Sequence, residues 1–194
     1  MRIDKAIRYL SFALAVAGLV LPALATEPDS AVATFVNRIN ATVSPIKPGD
    51  RQAIRAACER LVSQAFDIDA MAPAITAEAW DRMDGGQRAA YARGLARRAA
   101  ADCASHGSEI AGNAVEFVGV RDAGGGDRLI AVKQSKGRGR TIIWRARKGS
   151  GGALKAVDMT VDGRSLAASA RSDAKAVLKK TDGDVIALLR SVGE

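Results

Sequence analysis

The chain has one histidine, His106, two cysteines, Cys58 and Cys103, and aromatic side chains at only 4% of its positions. A single imidazole cannot build a metal cluster, and a Ser-His-Asp arrangement would have to use His106, beside which no G-x-S-x-G nucleophile signature stands. His106 ends a long helical pattern, where a cation is favourable, and a capping role is expected for it. The cysteines are not spaced C-x-x-C, so neither redox catalysis nor a zinc site is indicated. The glycine-rich segments lack the Lys-Ser/Thr ending of a phosphate-binding loop and read as turns. Asp67 and Asp69 lie too close along the chain for an acid and base pair; a helix cap and a solvated side chain are expected. Asp158 is expected to hydrogen-bond between a strand and its turn. The chain therefore reads as a non-enzyme without metal or cofactor.

Long apolar runs are scarce too. The longest, Leu10 to Leu21, is broken by Pro22 and is too short for a bilayer core of about 30 Å, which needs roughly 20 residues. With Arg2, Lys5 and Arg8 before it and Ala23-Leu24-Ala25 behind, it reads as a secretory signal peptide over residues 1–25. Residue 26 is Thr rather than Cys, which argues against a lipid-anchored form. Residues 26–194 are expected to form one exported domain, large enough to fold around its own core. In an oxidising compartment two readings of Cys58 and Cys103 stay open: buried small hydrophobes, or a disulfide between two antiparallel helices.

Charge is one-sided. The net charge is +8, and the leader supplies two of those charges. From Asp127 to Lys148 eight basic residues face Asp127 alone. That stretch is either a solvated sheet face or a patch for anionic headgroups or an acidic partner, with Arg138, Arg140, Arg145 and Arg147 as its candidates. Each basic group near an anionic membrane can add about 1 kcal/mol. An exported protein meets few nucleic acids, and none is expected as a partner.

What is present is a clean change of period. Val32, Phe35, Val36, Ile39 and Val43 share one helical face, as do Ile54, Ala57, Cys58, Leu61, Val62 and Ala65. Asp67 and Pro73 imply short, interrupted helical turns over 66–75, and a brief helix carries Trp80. Asp84-Gly85-Gly86-Gln87 resembles a capping box ahead of an alanine- and arginine-rich helix reaching about His106. Its alanines permit close helix packing or leave space for a ligand. After Gly107 four strands follow, over 115–121, 128–134, 140–147 and 154–161, joined by short glycine turns that imply an antiparallel meander. In the last strand, alternation puts Leu154, Ala156 and Asp158 on one face and Val157, Met159 and Val161 on the other. A turn at Asp162-Gly163 and two closing helices complete the chain. The expected fold is α+β, with N-terminal helices on one face of a curved four-stranded antiparallel sheet, C-terminal helices, and an apolar cavity between the layers.

The residues Phe66-Asp67, Trp80, Gln87-Arg88 with Tyr91, Asp158-Met159, Gly163, Ser165-Leu166 and Arg171-Ser172 stand in an order that resembles the MlaC or toluene-tolerance family. That family is the periplasmic auxiliary component of ABC transporters moving phospholipid between the membranes of Gram-negative bacteria. The resemblance implies a periplasmic phospholipid carrier. Its partners would be an inner-membrane ABC transporter complex and an outer-membrane donor complex, with transient contact at the membrane surface. It implies acyl chains buried in the cavity, for whose wall the candidates are Phe66, Met71, Trp80, Tyr91, Leu95, Trp144, Val157 and Met159. The chain departs from the family at Leu154, Ala170 and Ala174, where large aromatic side chains are common. Those losses imply either a larger cavity for another lipid, such as a hopanoid, or a closed site in a protein that only docks partners.

Overall fold

Aspartates start most of the helices in the computed structural model, which describes residues 27–193; the expected signal peptide lies outside them. Asp29 accepts from the amides of Ala31 and Val32 at the head of α1 (Ser30–Val43), and Asp50 from Ala53 at the head of α2 (Arg51–Ala65). Asp67 does the same for α3 (Ile68–Thr76). These carboxylates satisfy amides that an isolated helix end leaves without partners. After the one-turn α4 (Glu78–Asp81), Asp84 and Gln87 form a reciprocal capping box for α5 (Gly85–Ser105). A further single turn, α6 (Gly107–Ile110), follows it.

Pro73 does not divide its segment. It sits inside α3, where it removes only the amide that would reach the Asp69 carbonyl. The helix ends three residues later, with the Ala77 amide on the Pro73 carbonyl at 2.9 Å, so the disruption stays within one turn.

The sheet is an antiparallel meander in chain order, with β1 (Val115–Asp122), β2 (Arg128–Gln134), β3 (Thr141–Lys148), β4 (Leu154–Val161) and β5 (Arg164–Ser165). The two-residue β5 is one strand more than periodicity implies. It arises because Asp162 and Gly163 both take positive φ, 50° and 78°, the combination that folds a tight hairpin. The chain then runs straight into α7 (Leu166–Lys180) and on to α8 (Val185–Ser191).

Two bulges set which residues face the helices. Ala146 pairs with Ala156 and Arg145 with Asp158, leaving Val157 as the extra residue in β4. Side chains beyond a bulge change face. Simple alternation therefore misplaces Met159: it pairs with Trp144 and shares its helix-facing side together with Leu154 and Ala156. Val118 is the corresponding extra residue in β1, between the Phe117–Val132 and Gly119–Ala131 pairs, and its side chain is exposed. Bulges bend a sheet and increase its twist, which wraps this one toward the helices.

The core lies between the layers. Ile130, Val132, Trp144, Ala146 and Ala156 are buried on the sheet side, and Val32, Phe35, Ile39, Ala57 and Ile75 on the helix side. Asn40 ties α1 to the edge of the sheet, donating to the Val115 carbonyl at 2.9 Å and accepting from its amide at 2.7 Å. The Asp67 amide donates to the Ala156 carbonyl at 2.8 Å, stitching the α2–α3 junction to β4. Cys58 and Cys103 are joined as a disulfide between α2 and α5, with their Cα atoms 5.7 Å apart.

Candidate functional site

Trp144 sits at the middle of the layer interface. Its strand is the third of five, and its cross-strand partners on the same face are Ile130 and Met159. Two helical elements bring aromatic rings onto it. Phe35 of α1 meets it edge to face, with centroids 5.6 Å apart. Phe66, held at the end of α2 by its backbone bridge to β4, lies tilted against it at 5.4 Å. Such ring pairs contribute about 0.5–1.5 kcal/mol beyond their area burial. Trp144 is only 2% exposed, and among the described residues its Nε1 has no hydrogen-bond partner.

Met71, Tyr91 and Leu95 belong to the same buried cluster. Burial pushes the Tyr91 phenol up to about 12, against a smaller downward pull from Arg98, so its hydroxyl stays neutral. Trp80 is half-buried and packs against that cluster; its ring carries the Arg88 guanidinium 5.5 Å from the centroid. The same arginine donates to the Trp80 carbonyl at 3.1 Å. Val157 and Met159 are half-buried on β4. The eight residues named from the sequence thus gather around the layer interface, most of them as packed side chains.

Open space lies nearby but on different residues. A groove of about 960 Å³ runs between α2, the start of α3 and α5, lined by Ile54, Val62, Ile68, Ala96 and Ala100 with Arg55 at its rim. The alanine run of α5 is the sequence signal for it, since small side chains keep two helix surfaces from filling the space between them. None of the eight wall candidates lines this groove. A shallower depression of about 520 Å³ includes Arg138, Arg140 and Ile143.

Three of the four candidate arginines are engaged within the protein. Arg145 and Arg147 both grip Asp127, at 2.6 and 2.8 Å, and that carboxylate is almost wholly buried. Arg140 pairs with Glu109 and reaches Asp162 at 3.3 Å. Arg138 is exposed. Sequence could show the charges but not Asp127's position beneath them, which depends on the β1–β2 turn.

Asp158 organises the approach to α7. Its carboxylate accepts from Ser165 Oγ at 2.7 Å and from the Ala167 amide at 2.9 Å, while Ser165 accepts from Ala168. The strand-to-turn role expected for it is the one it has. The helix it anchors is thinly packed, with Ala174 as its one buried residue. His106 occupies the C-cap of α5, its Nδ1 3.1 Å from the Asp102 carbonyl. Among the described residues, no group of three or more His, Cys, Asp or Glu side chains could hold a metal ion. No helix among them is long and apolar enough to cross a membrane.

A helical layer on one face of a bulged meander, with an aromatic centre and no metal cluster among the described residues, defines an α+β fold of the helix-on-sheet class. The chain belongs to the MlaC protein family, whose profile matches residues 30–192. Among solved structures, one of a phospholipid-binding protein from Ralstonia solanacearum, in complex with a phospholipid, superimposes with a TM-score of 0.70. The identity is 19%, over 84% of this chain and 92% of that one, a likeness of fold. No curated protein matches the chain.

Proposed function

We propose that this protein is a periplasmic phospholipid carrier, serving an inner-membrane ABC transporter complex and an outer-membrane donor complex as a shuttle between the two membranes. Residues 1–25 act as its export signal. The observation that carries the reading is membership of the MlaC family across residues 30–192. The apolar interface between sheet and helices supports it, because carriage of lipid needs burial rather than covalent chemistry. Each methylene moved out of water is worth about 0.8 kcal/mol, so roughly ten of them supply about 8 kcal/mol toward opening the layers and holding the cargo.

Acyl chains enter between the layers against Phe66, Met71, Tyr91, Leu95, Trp144 and Met159, with Trp80 and Val157 at the margins. The headgroup stays near solvent, where Arg138 and Arg140 can meet it; Arg145 and Arg147 contribute through the field of their pairs with Asp127. Opening is assigned to α7. It has one buried residue, Ala174, and lies between the positive-φ pairs Asp162-Gly163 and Asp182-Gly183. Ala170 and Ala174, smaller than the side chains common in the family, leave this helix little side-chain packing to undo on opening.

The test is transfer of a fluorescent phospholipid from donor to acceptor vesicles by protein lacking residues 1–25. Carriage gives transfer that scales with protein concentration. The closed packing around Trp144 favours a competing reading, an adaptor that docks membrane partners without cargo, and that reading gives vesicle contact with no extraction.

A further inference from the structure

The indole N–H of Trp144 is an anomaly in an otherwise apolar interior. Buried polar groups in folded proteins nearly always have partners, and an exception calls for a cause. Trp144 is 2% exposed and no acceptor among the described residues reaches its Nε1. Its surroundings explain why. Ile130 and Met159 flank it along the sheet, and the rings of Phe35 and Phe66 cover it from the helices. None of these four offers an oxygen or nitrogen on its side chain. Phenylalanine would fill much of the same space without a donor, so the donor is the feature to be explained.

We infer that Trp144 Nε1–H donates a hydrogen bond to an ester carbonyl oxygen of the bound lipid, making the cargo an acyl-ester glycerolipid rather than a hydrocarbon-skeleton lipid. This rests on the carrier reading and adds a subsite to it. The donor is neutral and its neighbours are apolar, which selects the acceptor. A phosphate drawn to this depth would lose its hydration with no cation among those neighbours to compensate, a heavy cost. An ester carbonyl is neutral, strongly accepting, and attached directly to the chains that the apolar interface would bury. A polycyclic hydrocarbon skeleton has no acceptor to present there. The ester junction thus lies at Trp144, the chains lie beyond it, and the phosphate remains toward the arginines. The hydrogen bond fixes how deep the lipid sits.

The experiment uses the chain from residue 26 onward, which keeps both tryptophans, Trp80 and Trp144, so its spectrum has two indole signals to follow. Trp80→Phe assigns them. The probes are dioleoyl phosphatidylglycerol and its diether analogue, which has the same headgroup and no carbonyls. The expected result is a downfield shift of the Trp144 indole proton on loading the diester and a much smaller one with the diether. The diester should also bind about two- to tenfold more tightly, the range of one neutral hydrogen bond. Trp144→Phe should bring the two lipids to equal affinity. Equal affinities in the unaltered protein, with the Trp144 signal unmoved by bound diester, overturn the subsite while leaving carriage intact. Failure of both lipids to bind overturns carriage itself. The indole shift is read on unaltered protein, so the inference is tested even if Trp144→Phe does not fold.

Discussion

Gly94→Ala should destabilise the protein although alanine is the better helix former. Gly94 lies in the middle of α5, where replacing glycine by alanine ordinarily gains about 1 kcal/mol. A Cβ at this position would stand 2.6 Å from Val192 Cγ2 and 2.8 Å from the Val192 carbonyl oxygen. The methyl could turn away, but the carbonyl belongs to the main chain just after α8. That segment is anchored by Leu188 and Leu189, both buried. The backbone after α8 must therefore move by several tenths of an ångström. Overpacking costs about 1–3 kcal/mol, and a clash against main chain falls in the upper part of that range, about 2–3 kcal/mol; subtracting the propensity gain leaves a net loss of about 1–2 kcal/mol. For a domain of this size the thermal midpoint should fall by about 2–8 °C. Gly119→Ala is the control: no atom lies within 4 Å of its added Cβ, and the midpoint should hold or rise. Adding Val192→Ala to Gly94→Ala should restore part of the loss, because the methyl clash goes and the carbonyl clash stays. A Gly94→Ala midpoint equal to or above that of the parent in calorimetry would refute the close α5–α8 contact.

Three other outcomes follow from the same packing. Replacing Cys58 and Cys103 by Ala opens a link across a sequence separation of 45, and the loop-entropy relation gives a loss of about 4 kcal/mol in chemical denaturation; a loss under about 1 kcal/mol would contradict a stabilising disulfide. Asp158→Ala removes the acceptor for Ser165 Oγ and the Ala167 amide, and should cost about 1–2 kcal/mol. Amide exchange should accelerate first at the start of α7, and uniform acceleration would count against a local cap. In protein lacking residues 1–25, Tyr91 is the one tyrosine, so ultraviolet titration reads it alone. Because its folded value is raised to about 12 above the ordinary value near 10, the stability from keeping the phenol neutral is present below pH 10. It is lost as pH rises through 12. Ionisation near pH 10 in folded protein would mean that Tyr91 is not buried.

The elements that were legible in the sequence are those governed by neighbours along the chain. Asp67 and Asp84 each stand just before a helical pattern, and each caps a helix. The glycine turns mark the meander for a similar reason, since only a few residue types accept the positive φ that tight hairpins require. The helix-on-sheet layering then follows from which faces are apolar. What stayed hidden depends on contacts between distant residues. Nothing local at Val157 announces a bulge, yet it decides the face of Met159. Asp127 reads as a turn residue, but the fold buries it beneath Arg145 and Arg147 and takes up their charge. The α2–α5 groove needed the relative placement of two helices, for which the alanines of α5 were a hint without a direction. The missing partner of Trp144 Nε1 is visible only when every neighbouring side chain is in place.

Lipid extraction with mass spectrometry, on protein exported to the periplasm and purified without detergent, tests the central claim most directly. The carrier account predicts one diacyl phospholipid per chain, lost when the lipid is extracted with organic solvent and regained from added vesicles. Folded protein that emerges empty and refuses added phospholipid would contradict it.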